Sequence, residues 1–269
     1  MATKPKIAVH KFSSCDGCQL AFLNLGEDLL NLIEQVEIVH FAEAGPVNED
    51  MPVEIAFVEG SISTPDDLPR IERIRRNSRY LISIGACATS GGIQALRNMA
   101  DSGKWVAAIY ANPAYIHSLD ESTAIARHVK VDFELWGCPV NQQQILTTVR
   151  ALLSGVLPEV QHDSLCQQCK RQQVTCVMVT KGEPCLGPVT RDGCGALCPS
   201  LGRACYGCYG PAENINGPSL SQRFEELGLD RDEAARRFHF INSGAPAFHE
   251  AGLKAAMAPA NDDAPEADQ

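Results

Sequence analysis

KIAVHKFSSCDGCQLAFLNL, residues 6–25, sets the fold class. Lys6 to Phe12 is short and β-branched, as a buried strand is, and a brief loop carrying Cys15 and Cys18 follows. Phe22, Leu25, Leu29 and Ile33 then recur at helical spacing, so the unit reads strand, loop, helix. Working outward, Glu37 to Phe41, Val53 to Val58, Tyr80 to Ile84 and Val131 to Leu135 are the next predicted strands. Thr64 and Pro65 are placed to start a helix that buries Leu68, Ile71 and Ile74 and leaves Arg70, Arg73, Arg75 and Arg76 solvated. Gly91-Gly92 opens a short helix, Asn112-Pro113 marks a turn, and Gln143 to Leu153 is helical. Strands alternating with helices predict an α/β, doubly wound parallel sheet of the flavodoxin-like order, which binds ligands outside the carboxyl ends of its strands.

The cysteines divide into two populations. Cys15 and Cys18 follow the first strand, Cys87 the fourth and Cys138 the fifth, so this topology gathers all four along one edge of the sheet. A four-thiolate site between the strand tips follows, with helix amides after Cys18 and Gly92 available to an anionic group. The other eight, Cys166, Cys169, Cys176, Cys185, Cys194, Cys198, Cys205 and Cys208, fall in a stretch with almost no apolar periodicity. That stretch is expected to be loop-rich and held by something other than an ordinary core. Three chemistries remain open on these residues: iron-sulfur clusters, structural zinc, or a thiol-disulfide pair at Cys15-Asp16-Gly17-Cys18.

A chain of 269 residues that is 45% hydrophobic can bury a full core. Residues 1–158 are expected to form the sheet domain, 159–257 a cysteine-held domain closed by a helical hairpin, and 258–269 a disordered acidic tail. The net charge of −10 is partly due to Asp262, Asp263, Glu266 and Asp268 of that tail, and a mildly acidic body gives no support to nucleic-acid binding. No basic segment leads into an apolar one at the start, no twin-arginine pair stands there, and no apolar run approaches the roughly 18 residues of a membrane span. The chain is expected in the cytoplasm, where paired cysteines read as metal or redox ligands. No GK[ST] follows Gly85 to Gly92 and no GxGxxG follows the first strand, which excludes a phosphate loop and a dinucleotide fingerprint.

SCDGCQ at 14–19, VEGSI at 58–62, GACATSGG at 85–92 and WGCPV at 136–140 together resemble the small subunit of nickel-iron hydrogenases. CLGPVTRDGC at 185–194 and CYGC at 205–208 resemble the same family's second domain. The resemblance implies three 4Fe-4S clusters: a proximal one on Cys15, Cys18, Cys87 and Cys138, a distal one on Cys166, Cys169, Cys176 and Cys185, and a medial one on Cys194, Cys198, Cys205 and Cys208. It implies electron transfer, with no catalytic residue in this chain and the nickel-iron centre in a partner large subunit. Cys166 stands where membrane-bound members carry a histidine, and Cys198 adds a fourth medial thiol. His162 lies too early for that histidine's role and reads as a solvated loop residue. These features resemble the cytoplasmic multimeric hydrogenases, above all the delta subunit of NADP-linked sulfhydrogenases, whose further partners are iron-sulfur and flavoprotein diaphorase-type subunits. The viologen-reducing type is the alternative. The related single-cluster subunit of complex I, with adjacent cysteines and no second domain, is a poor match. Glu59 occupies the family's EG position, either as a carboxylate tuning the proximal cluster or as a solvated strand end. Pro139 and Pro199 directly follow cysteines and would shape cluster loops.

Beyond Gly210, Ser219 or Ser221 is placed to start a helix carrying Phe224 and Leu227 and closed by Gly228. Asp230 with Glu233 forms a capping box for a second helix ending near Ile241.

Overall fold

The computed structural model describes residues 4–159 and 163–257. The readings of His162 and of the 258–269 tail lie outside the described residues. Five strands, β1 (Lys6–Lys11), β2 (Glu37–Phe41), β3 (Val53–Glu59), β4 (Ser78–Ile84) and β5 (Phe133–Leu135), form one sheet in the order β2-β1-β3-β4-β5. Every neighbouring pair is parallel. This is the doubly wound order expected from the alternating pattern.

Period-two alternation sorts the strand residues onto two apolar faces. Ile7, Val9, Ile55, Phe57, Ile82 and Ile84 pack under α1 (Gly17–Leu23), α2 (Glu27–Gln35) and the helix Gln142–Leu153 through Phe22, Leu25, Ile145 and Val149. Ala8, Ala56, Val58 and Leu81 pack under α3 (Asp67–Asn77) through Ile71 and Ile74. The single helix expected after β1 is two, because the chain breaks at Gly26, which sits at a φ of 60°. The break resets the helical phase, so Leu32 and Val36 are buried while Ile33 is 42% exposed.

The start of α3 differs from expectation as well. It begins at Asp67, whose carboxylate accepts the Ser63 and Thr64 N–H groups at 2.9 Å each, and Thr64 caps nothing. Two of its four arginines are not solvated. Arg70 donates to the Lys11 carbonyl at 2.6 Å and to Glu49 at 2.7 Å, lying 4.6 Å over the Phe12 ring. Arg75 bonds Asp132 and the Ser78 carbonyl, tying α3 to the entry of β5.

At the carboxyl end of β4 the chain turns at once into α4 (Gly85–Ser90), a helix the sequence reading lacked, and Gly91-Gly92 then open a second helical stretch as expected. A tighter helical stretch, Gly92–Met99, leads to α5 (Ser102–Ile109), and α6 (Gln142–Leu153) follows β5. The cysteine-rich stretch carries three short helices: α7 (Leu165–Arg171), α8 (Val177–Thr180) and α9 (Leu197–Ser200). Contrary to expectation it does have an apolar core, since Leu165, Val177, Leu186, Val189 and Ala204 pack with Phe224, Phe238 and Phe248.

Those phenylalanines come from α10 (Gly217–Glu226), α11 (Arg231–Phe238) and α12 (Pro246–Met257), three helices where a hairpin was expected. Asn216, not a serine, caps α10 by accepting the Ser219 N–H at 3.1 Å. The Asp230–Glu233 capping box forms as read, although α11 ends at Phe238. Among the described residues no helix is long and apolar enough to cross a membrane.

Phe224 is fully buried at the centre of this last cluster. Phe224→Ala should therefore cost about 3–5 kcal/mol. In thermal unfolding followed by limited proteolysis, the cysteine-rich stretch should lose its protection first while the five-stranded sheet keeps its own. Equal loss from both would mean the two regions unfold as one.

Candidate metal centre

The strand tips bring Cys15, Cys18, Cys87 and Cys138 together. Cys18 stands in the first turn of α1 and Cys87 in the first turn of α4, so two of the four ride on helix starts rather than in open loops. Cys15 and Cys138 are exposed, Cys18 is buried and Cys87 is intermediate. Burial pushes the Cys18 thiol far up, and Glu59, Cys87 and Cys138 add to the shift. Burial also pushes Cys87 up to about 11, with Cys138 and Cys15 contributing, and raises Cys138, with Cys15 contributing. The four thiols thus feel one another as a single group.

Their supports are specific. Gly85, at a φ of 81°, passes so close to Cys18 that a Cβ there would overlap its Sγ. The Cys87 thiol donates to Gln94 Oε1 at 3.5 Å, and Gln94 Nε2 donates to the Ser13 carbonyl at 2.7 Å, joining the Cys87 helix to the Cys15 loop. Glu59 ends β3 and is only 2% exposed, which rules out the solvated reading. Its carboxylate accepts the Cys18 N–H at 3.0 Å and the Gln19 N–H at 3.2 Å. No side chain at Asp16 caps α1, so Glu59 supplies the cap from across the sheet. Burial raises its pKa, and these hydrogen bonds hold it back.

In the cysteine-rich stretch, burial and the neighbours Cys185, Cys169 and Cys176 push Cys166 up to about 11. Burial raises Cys169 too, with Cys185, Cys176 and Cys194 adding to it. Cys194 and Cys198 interact, and Cys208, pushed up to about 12 by burial, feels Cys194, Cys138 and Cys198. Cys205 stands between the two sets: its N–H donates to Cys185 Sγ at 3.2 Å, while its own burial-raised thiol feels both Cys185 and Cys208. Cys208 and Cys138 connect this stretch to the strand tips. Pro199 lies buried within α9, and Pro139 follows Cys138 through a cis peptide.

Several residues of this region carry no cysteine signature and are not legible from spacing. Tyr209 is buried, with its hydroxyl 3.4 Å from the Pro139 carbonyl, and its phenol is raised by burial and by Cys194, Cys208, Cys18 and Cys138. Thr190 takes the Cys205 thiol at 3.7 Å. Only Tyr209's place directly after CYGC offered a hint.

The donor sets can be tested against what they would hold. Thiolates around one tetrahedral zinc lie roughly 3.8 Å apart, given Zn–S near 2.3 Å. Among the described residues no three cysteine Sγ atoms all lie within 4.8 Å of one another. The sets are wider than a single ion, and the nine thiols that burial pushes upward suit a cationic group that can take up their charge. The Cys15–Cys18 pair fits poorly as an exchanging disulfide, since reactive thiols have lowered pKa values and that of Cys18 is raised.

The family model described as the 20 kDa subunit of NADH ubiquinone oxidoreductase matches residues 15–152. The chain belongs to that family. Sulfhydrogenase 2 subunit delta of Pyrococcus furiosus is 34% identical over 232 residues, covering 86% of this chain and 97% of its own. A subunit of the F420-non-reducing hydrogenase of Methanococcus voltae is 28% identical, covering 96% and 98%. A chain of the crystal structure of an NAD+-reducing [NiFe]-hydrogenase superposes with a TM-score of 0.54 at 26% identity, covering 58% of this chain and 95% of that one. The protein is a hydrogenase-small-subunit-like member of its family. Kinship with the complex I subunit is real over the first domain, and the match to that family ends before Cys166.

Glu59→Ala strands two buried N–H groups and should cost about 1–3 kcal/mol. Glu59→Gln keeps one acceptor and should cost less, as read by thermal unfolding. Equal midpoints for wild type and Glu59→Ala would show that the cap contributes nothing.

Proposed function

We propose that this chain is the electron-transfer subunit of a multimeric nickel-iron hydrogenase. Residues 1–158 would carry the proximal 4Fe-4S cluster on Cys15, Cys18, Cys87 and Cys138, and residues 159–257 the other two. Cys166, Cys169, Cys176 and Cys185 would hold the distal cluster, and Cys194, Cys198, Cys205 and Cys208 the medial one. Bound clusters would supply one-electron redox chemistry. The observation that carries the reading is that the thiols neighbour one another across the two regions, with Cys208 near enough to feel Cys138 and the Cys205 N–H on Cys185 Sγ at 3.2 Å. No catalytic residue is assigned to this chain, and the nickel-iron centre belongs to a partner large subunit.

A docking face for that partner is at hand. α5 buries none of its residues, and Trp105, Ile109 and Tyr115 are exposed with Ile93 and Met99 on the segment that leaves the Cys87 helix. The NAD+-reducing hydrogenase neighbour supports an acceptor module handling NAD(P), and the proposal assigns that module to iron-sulfur and flavoprotein diaphorase-type partners in the cytoplasm. A second reading, a carrier-linked hydrogenase of the viologen-reducing kind, is favoured by the near full-length match to the F420-non-reducing relative.

Iron and acid-labile sulfide on anaerobically purified protein should approach about twelve of each per chain, three clusters of four. Zinc or free thiols in their place would end the reading. Cys87→Ser should uncouple hydrogen oxidation from the distal acceptor in the assembled complex, with unchanged coupled turnover counting against the ligand set.

A further inference from the structure

Away from the cysteines, one group of metal-capable side chains stands together. His10 on β1, His40 on β2 and Glu49 in the loop before β3 each offer one ligand atom, and the three atoms lie within 4.8 Å of one another. Among the described residues no other group of three His, Cys, Asp or Glu meets that spacing.

Strand pairing puts the histidines there. β1 and β2 run parallel with Ala8 opposite His40, and the His10 and His40 rings stack at 4.6 Å between centroids and 22° between planes. Both are buried, at 2% and 3% exposure, and the Nδ1 of each has no hydrogen-bond partner. An imidazole nitrogen buried without a partner costs about 1–3 kcal/mol, so two side by side call for a missing occupant. His40 Nε2 stands 3.8 Å from Glu49 Oε1, beyond hydrogen-bond range, so that nitrogen is not bonded to the carboxylate either.

The charge environment keeps the ring lone pairs free. Burial lowers the His10 pKa to about 3, with His40, Arg70 and Arg73 adding to the shift. Burial and Arg70 lower that of His40, against an opposing pull from Glu49. Neutral imidazole is the form that binds metal. Arg70 and Arg73 hold Glu49 at 2.7 and 3.4 Å, and each carboxylate oxygen retains a second lone pair.

We propose that His10, His40 and Glu49 form a binding site for one divalent transition-metal ion of the zinc class, separate from the cysteine sets. Two imidazoles and a carboxylate are a zinc donor set, whereas magnesium and calcium demand mainly oxygen ligands. Donors around a tetrahedral zinc stand ~3.4 Å apart, so an inward shift of about an ångström closes the group. Glu49, partly exposed on the loop before β3, is the member that would make this shift. Water takes the fourth position. The ion would pin the β2–β3 loop to the sheet and to α3.

The test uses the whole chain with its partners, iron loaded, titrated with Zn²⁺ alone and examined by zinc K-edge X-ray absorption. One zinc per chain is expected, with only nitrogen and oxygen neighbours near ~2.0–2.1 Å. Glu49→Gln and His40→Gln should each weaken binding at least about tenfold while iron and sulfide stay unchanged. Glu49→Gln keeps the test open should the buried His40→Gln variant fail to fold. No zinc uptake, sulfur neighbours near ~2.3 Å, or unchanged affinity in Glu49→Gln would overturn the site. Failure of the electron-transfer reading would appear instead in the iron and sulfide of the unaltered protein.

Discussion

Thiols buried beside other thiols are the constraint on which the rest of this structure depends. Wherever a cysteine pKa is shifted, it is shifted upward, by burial first, and most of these shifts include neighbouring cysteines. Left alone, such a set stays protonated and adds little to stability. A cationic centre reverses the balance, because desolvated thiolates that repel one another each gain a partner. The polypeptide is arranged for the charged form: Gly187 and Cys205 N–H groups point at Cys185 Sγ at 3.4 and 3.2 Å, and the Gly207 N–H points at Cys205 Sγ at 3.4 Å. Backbone donors aimed at sulfur are worth most when that sulfur is negative.

The scaffold must then hold two dissimilar regions in register, and it does so by close approach. The Gly210 backbone lies against the face of Trp136 so tightly that a Cβ would overlap the indole, bringing the turn after Cys208 onto the loop that carries Cys138. Asn242 adds a second tie, accepting from Ser90 Oγ at 2.7 Å and donating to the Gly207 carbonyl at 2.7 Å. One amide thereby links the end of the Cys87 helix to the CYGC turn. The C-terminal helices extend the same logic, since their phenylalanines are the core on which the cysteine-rich stretch is laid.

The doubly wound parallel sheet and the gathering of four cysteines at its edge were legible because both follow from strands alternating with helices. The helix ends at Gly26, Asp67 and Asn216 differ for local reasons, and the larger failures share one cause, namely interactions between residues far apart in sequence. Arg70 and Arg75 read as surface charges because a helical stripe says nothing about Glu49, the Lys11 carbonyl or Asp132. α12 was missed because its buried face is Phe248, Ala251, Gly252 and Ala255, too small to show as an apolar stripe, and Gly252 packs against the His239 ring where a larger residue would not fit. The core of the cysteine-rich stretch was hidden for a similar reason, as single apolar residues such as Leu165, Val177 and Leu186 gain meaning only from Phe224, Phe238 and Phe248. Glu59 was the near case: its sequence position marked it, while only the fold shows it capping α1.

Exposure along the thiols argues for conduction over local chemistry. Cys15 and Cys138 reach the surface at the strand-tip end and Cys176 at the other, while Cys185 and Cys205 between them are buried. A thiol-exchange site needs one exposed, acidified sulfur with its partner beneath, and has no use for a buried middle or a second exposed end. A relay needs both, because electrons must enter and leave through surfaces that partners cover while the intermediate carrier is shielded from water. Tyr209 sits where the two regions meet, buried among Cys18, Cys138, Cys194 and Cys208. A bulky aromatic at that junction keeps water out and holds the two sets at a fixed separation, a role that spacing of cysteines alone could not fill.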